Sequence, residues 1–131
     1  MHADPERLVE ALALDLPVPV ELEIDVPERL PEPVESAVYF AVAEGLANAV
    51  KHAGPVRLWV RMRHRDGHLA GEVGDAGPGG ADPREGTGLR GIAQRLSAFD
   101  GTMTLSSPPG GPTLIRWEVP CASSSPRTMP S

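Results

Sequence analysis

The chain has 131 residues, 40% of them hydrophobic and 23% charged, which is enough for one globular domain with a substantial core. Its formal net charge of -6, with 12 basic residues spread thinly, leaves no basic patch of the kind that attracts nucleic-acid backbones or acidic membranes. The single cysteine, Cys121, excludes an intrachain disulfide and suits a reducing compartment; no apolar run could span a bilayer and the N-terminus lacks a signal peptide's hydrophobic stretch, so a cytoplasmic location is expected.

In chain order, "PERLVEALALDL" at 5–16 sets Leu8, Val9, Leu12 and Leu16 at helical spacing and reads as a short connector helix. "VELEID", Val20 to Asp25, alternates apolar and acidic residues as a half-buried strand does. From Pro33 to Ala53 the period is helical, with prolines near the start and Gly54-Pro55 as the stop. "VRLWVRMRHR", Val56 to Arg65, alternates again, and Asp66-Gly67 turns it into "HLAGEVGD" as a hairpin. The segment from Gly77 to Gly88 is glycine-rich and broken by proline, hence loop. "LRGIAQRLSAF" reads as a helix closed by Asp100-Gly101, and "TMTLSS" and "PTLIRWEV" form a last hairpin joined at "PPGG". The tail from Cys121 to Ser131 is rich in serine and proline and is expected to be disordered. The order helix, strand, long helix, two strands, helix, two strands predicts a two-layer α/β (α+β) sandwich, a mixed sheet with its helices on one face.

The long helix has a polar face. At about 100° per residue, Glu44, Asn48, Lys51 and His52 fall within a third of the circumference, and Tyr39, Val42, Leu46, Val50 and Ala53 are expected on the opposite, sheet-facing side. Solvation with an i,i+4 pair is the ordinary role of such a face. The mixture of a carboxylate, an amide oxygen and two potential cations also suits a metal ion together with phosphates.

Two glycine segments follow. "GDAGPGG" comes straight after a strand and holds Asp75, Gly77 and Gly79 as D-x-G-x-G, so the backbone can approach a flat ligand while the acid accepts hydrogen bonds. An Asp capping a glycine-rich turn would look the same. "GTGLRG" at 86–91 matches G-x-G-x-x-G and opens a helix whose free amides can receive phosphate. A loop rather than a strand precedes it and no strand-end acid follows, which excludes the dinucleotide-binding reading; no G-x-x-x-x-G-K-[ST] is present, which excludes a P-loop.

Taken in order, "AEGLANAVKHAG", "VGDAGPGG", "GTGLRGIAQRL" and "PGGPTLIRWEVP" resemble the ATP-binding domain of bacterial sensor histidine kinases, more narrowly those of the NarL type, in a superfamily shared with DNA gyrase and MutL. The resemblance covers residues 18–120, with 1–17 as the connector that follows the dimerisation and phosphoacceptor helices in such kinases and 121–131 as the tail. It implies a Bergerat-type ATP fold in which Asn48 binds Mg²⁺ and Glu44, as the catalytic residue, holds a metal-bound water or polarises the attacking group. Lys51 and His52 would face the phosphates, and Asp75 would accept from the adenine amino group in a pocket shaped by Gly77 and Gly79. Gly86, Thr87, Gly88 and Leu89 would form the phosphate-side loop, Thr113 would support the adenine site, and 80–85 would be a short lid. Ala76 stands where the family often has a second polar residue, and Pro78 interrupts the glycine motif.

The implied activity is transfer of the γ-phosphate of Mg-ATP to a histidine presented elsewhere, because His2, His52, His64 and His68 do not lie on a dimerisation helix. The implied partners are a phosphoacceptor/dimerisation domain and a response regulator, with no nucleic acid, no direct membrane contact and a monomeric isolated chain. The rival readings are an anti-sigma-factor-type serine kinase on the same fold and a nucleotide-binding module without kinase activity.

Overall fold

A computed structural model describes residues 5–26, 30–53, 57–77 and 87–121. The elements are α1 (Pro5–Leu14), β1 (Val20–Asp25), α2 (Glu32–Ala53), β2 (Leu58–Arg65), β3 (His68–Asp75), α3 (Thr87–Ser97), β4 (Thr102–Ser106) and β5 (Thr113–Pro120). The strands make one five-stranded sheet in the order β1-β2-β3-β5-β4. β1 pairs parallel with β2 and every other pair is antiparallel, so the sheet is mixed, as its alternation of strands and helices required.

Local chemistry fixes the ends of these elements. Asp66 and Gly67 have φ of 53° and 75°, the left-handed pair that a two-residue hairpin needs. At the start of α2, buried Glu35 accepts a hydrogen bond from the Leu30 amide at 3.1 Å, satisfying a donor just ahead of the helix. α3 gives way through Asp100 at φ 59°, and the Gly101 amide closes back on the Leu96 carbonyl at 2.8 Å.

The core lies between the helices and one face of the sheet. Leu58, Val60 and Met62 of β2, Leu69 and Val73 of β3 and Ile115, Trp117 and Val119 of β5 point into it; α2 adds Val34, Val38, Val42 and Leu46, α3 adds Ile92 and Leu96, and α1 adds Val9. One expectation fails here. Tyr39 is 37% exposed, because the buried arc of α2 runs through Val34, Val38, Ala41, Gly45 and Ala49 and leaves Tyr39 at its margin. Val42 and Leu46 are buried and Val50 half-buried as expected; the side chain of Ala53 lies outside the described residues.

The other face of the sheet carries charge. The Trp59 indole donates to Glu72 Oε2 at 2.7 Å and Arg116 donates to Glu72 Oε1 at 2.7 Å. Burial works to raise the Glu72 pKa, but the hydrogen bonds from Arg116 and Trp59 outweigh it and hold the carboxyl below its ordinary value. Exposed pairs Arg57–Glu21, Arg61–Glu23 and Arg65–Asp25 extend the ladder to the edge of the sheet; each is worth little in water, though together they keep β1 and β2 in register.

Two glycines make room for the tryptophans. A Cβ on Gly74 would collide with the indole of Trp59 on the charged face, and a Cβ on Gly71 with the indole of Trp117 in the core. Gly71→Ala should therefore cost about 1–3 kcal/mol by urea unfolding, as an overpacked core does. Unchanged stability would show that Trp117 can swing away without loss.

Candidate functional site

The site is set by the direction in which α2 crosses the sheet. Glu35, Val38 and Tyr39 of its first half share a small apolar pocket with Met62 and with Leu69 at the start of β3. Further along, Gly45 lies against Val73, a Cβ there meeting the valine side chain at 3.2 Å. α2 therefore runs in the same direction as β3, and the turn after Gly45, which carries Asn48, arrives where β3 ends at Asp75.

Asp75 is only 4% exposed. It is paired in register with Leu58 of β2 and Thr113 of β5, so all three point to the core face of the sheet at the same end. Its Oδ1 accepts from the Gly77 amide at 2.9 Å, closing a turn within the glycine motif, and Oδ2 has no partner among the described residues. Burial raises the Asp75 pKa and the Gly77 hydrogen bond offsets part of that rise. The result is a carboxyl held in a dry place with one oxygen fixed and one available, which is the arrangement for reading a hydrogen-bond donor on a ligand.

Asn48 is half-buried and its Nδ2 is enclosed without a hydrogen-bond partner among the described residues. A buried donor left unpaired, as Trp117 Nε1 also is in the core, calls for an acceptor, and at Asn48 a polar ligand would supply one. Glu44, one turn earlier, is half-buried and Lys51 is exposed, so carboxylate, amide and ammonium line the same side of the helix. Among the described residues no three of His, Cys, Asp and Glu cluster, so a cation here would draw much of its coordination from its ligand's own oxygens.

Thr113 stands beside Asp75 and its hydroxyl lies 2.6 Å from that of Ser107. Leu89 turns its side chain into the core, which leaves only its backbone, in the first turn of α3, for the expected phosphate-side role. Gly79, Gly86, the lid at 80–85 and the tail at 122–131 lie outside the described residues, as do the side chains of His52 and Thr87; the backbones of His52, Thr87 and Gly88 are helical. His64 and His68 serve the hairpin turn: one contacts the Cys121 carbonyl at 2.9 Å and the other the Asp66 carbonyl at 3.1 Å.

Sequence reasoning missed Gly45 and Ser107. A glycine inside a long helix is itself a signal of close backbone approach. No such signal marks Ser107, whose place depends on the register of the last hairpin.

No protein-family model matches the chain. It is 33% identical over 97 residues to the oxygen sensor histidine kinase NreB of Staphylococcus carnosus (strain TM300), an alignment covering 71% of this chain and 28% of that protein. The chain thus spans little more than a quarter of that relative's length. Among solved structures it superposes on the histidine kinase domain of the Erythrobacter litoralis EL346 blue-light activated histidine kinase with a TM-score of 0.74 at 22% identity, covering 88% of this chain and 62% of that one. It superposes on the catalytic domain of histidine kinase ThkA with a TM-score of 0.71 at 11% identity, covering 90% and 92%. Among the described residues no helix is long and apolar enough to cross a membrane.

The burial of Asp75 makes stability depend on pH in a definite direction. Below the ordinary value of 3.8 both folded and unfolded chains hold its proton; as pH rises past that value the unfolded chain ionises first, and stability falls until the native carboxyl has ionised too. Asp75→Asn removes this dependence, so the variant should gain stability relative to the parent as pH is raised from the acid range toward neutrality, measured by urea unfolding at a series of pH values. A difference that stays flat or changes the other way would show that the carboxyl is not desolvated.

Proposed function

The chain is a histidine-kinase catalytic domain in fold and a relative of the sensor histidine kinases in sequence, and on that premise we propose that it binds Mg²⁺-ATP and delivers the γ-phosphate to a histidine on a separate dimerisation domain. The observation that carries the reading is the buried Asp75 carboxyl, one oxygen tied by Gly77 and the other available, beside the turn of α2 that bears Asn48.

On this reading Asp75 accepts from the exocyclic amino group of adenine. Guanine presents an acceptor at the same place, so the same carboxylate repels it. Gly77 and Gly79 let the backbone lie close to the base. Asn48 would offer its side-chain oxygen to Mg²⁺, and Glu44 would hold a water beside the ion or polarise the attacking imidazole. Lys51 and His52 face the phosphates, and the amides of Gly86, Thr87, Gly88 and Leu89, where α3 begins, receive them. When bound, Mg²⁺ supplies the charge neutralisation that a chain of net charge -6 lacks. The donor set fits that ion, because Glu44 and Asn48, both half-buried, present oxygen donors one turn apart on the same side of α2. Catalysis then rests on positioning and electrostatics rather than on covalent chemistry by the protein.

The wider assignment has the same basis. The similarity to NreB favours a histidine over a serine acceptor, and with it the NarL-type grouping, a phosphoacceptor/dimerisation domain and a response regulator as partners, and a cytoplasmic site of action. Residues 1–17 are the connector to that domain and 18–120 the ATPase domain, the isolated chain being a monomer. Relatives that are sensor histidine kinases weigh against a module that binds nucleotide without transferring phosphate.

Titration with a fluorescent ATP analogue in Mg²⁺ tests the pocket. ATP should displace the analogue and GTP should not; Asp75→Asn should weaken binding about ten- to a hundredfold, the loss of a charged hydrogen bond of roughly 1.5–3 kcal/mol. Competition by GTP equal to that by ATP would sink the assignment of Asp75.

Asn48→Ala should remove the dependence on Mg²⁺. Equal affinity of the parent chain in excess chelator would count against Asn48 as a ligand.

A further inference from the structure

One row of residues crosses the core face of the sheet at the end where β3 stops. Leu58 of β2 pairs with Asp75 of β3, which pairs with Thr113 of β5. On the far side, Ser106 of β4 pairs with Leu114, so the next step of the register brings Ser107 opposite Thr113. Their hydroxyls are 2.6 Å apart and partly buried, and either oxygen could be the donor. Three polar side chains therefore stand side by side: Asp75 at the end of β3, Thr113 at the start of β5 and Ser107 just past the end of β4.

The direction of the hydrogen bond between the two hydroxyls decides what Thr113 offers. If Ser107 donates, the Thr113 oxygen accepts it and its own proton points away, toward the carboxyl and whatever lies against it. If Thr113 donates, that proton is consumed and only a lone pair faces the cleft. Adenine presents a donor, its amino group, next to an acceptor, ring N1; guanine presents an acceptor next to a donor. A carboxylate that accepts therefore needs a neighbour that donates if the pair is to read adenine.

We propose that Ser107 is a positioning residue for base recognition: it donates to Thr113 Oγ1 and so holds the Thr113 hydroxyl as a donor toward ring N1 of the adenine whose amino group is read by Asp75. The proposal rests on the nucleotide reading above and adds to it a residue from just beyond the end of β4. Ser107 touches no nucleotide atom itself; it acts through Thr113. The geometry suits this role, because a hydroxyl fixed by a short bond within a folded sheet needs no reorientation when a ligand arrives.

The test compares ATP with its deaza analogue in which ring N1 is replaced by C–H, by competition against the fluorescent analogue. The parent chain should prefer ATP by about three- to tenfold, the contribution of one neutral hydrogen bond. Ser107→Ala should lower affinity for ATP by a similar factor and leave affinity for the deaza analogue nearly unchanged, so that the preference collapses toward one. Ser107→Thr keeps a donor at the same place and should restore it. Melting curves of each variant separate a change in the fold from a change in reading. Equal weakening toward both nucleotides, or an unchanged preference in Ser107→Ala, would overturn the proposal while leaving the ATP pocket in place. A parent chain that binds neither nucleotide would overturn the ATP reading itself.

Discussion

The contact on which the site depends is the close approach of α2 to β3 at Gly45 and Val73. A Cβ at Gly45 would stand 3.2 Å from the valine side chain, tighter than ordinary packing, so a larger residue would lift the helix off the strand. Helices usually avoid glycine, which costs about 1 kcal/mol relative to alanine in a helix interior. Here the cost is met by packing on both sides, with Val42 and Leu46 buried around it. Because Asn48 rides one turn beyond this contact and Asp75 lies two residues beyond Val73, the same contact sets the gap in which a ligand would be held.

The two faces of the sheet divide the work of holding that gap rigid. On the core face, Trp117 over Gly71 anchors β5 to β3. On the open face, Trp59 lies over Gly74 while its indole nitrogen donates to Glu72, and Arg116 reaches Glu72 from β5. Gly74 immediately precedes Asp75, so the strand end that presents the carboxyl is gripped from the face opposite to the ligand. The ion pairs farther out, on side chains more than half exposed, add little to this.

Much of this was legible in the sequence. Period-two alternation placed Val20–Asp25 to the residue, because a strand with an apolar and an acidic face can slip by no single position without burying its acids, and the Asp66-Gly67 turn led straight into His68–Asp75. The Asp66-Gly67 turn was legible for a chemical reason, since few other pairs accept two left-handed residues. Tyr39 misled because an amphipathic ring at the margin of a helical stripe has no periodicity of its own. The stripe is set by which neighbours exist: Val9 of α1, which packs on α2, lines the same small pocket as Val38. Ser107 was illegible because its meaning arises from pairing across the last hairpin, where the partner is chosen by register and not by distance along the chain.

The burial of Asp75 is also what favours the proposed binding role of the arrangement over a scaffold role. A carboxyl inside a core is unfavourable in its charged form, and the single hydrogen bond from Gly77 compensates only in part, since the pKa remains raised. A scaffold would place an apolar residue there, as it does at Leu58 one strand over in the same row. Retaining the acid makes sense where a ligand supplies the missing donor, because the desolvation has already been incurred in the empty fold and the new bond then forms at full strength. At the enclosed Asn48 the unpaired atom is the donor Nδ2, so there a ligand would have to supply an acceptor instead. Two polar groups left incomplete, on elements brought together by a glycine contact, are what the proposed nucleotide site would draw on.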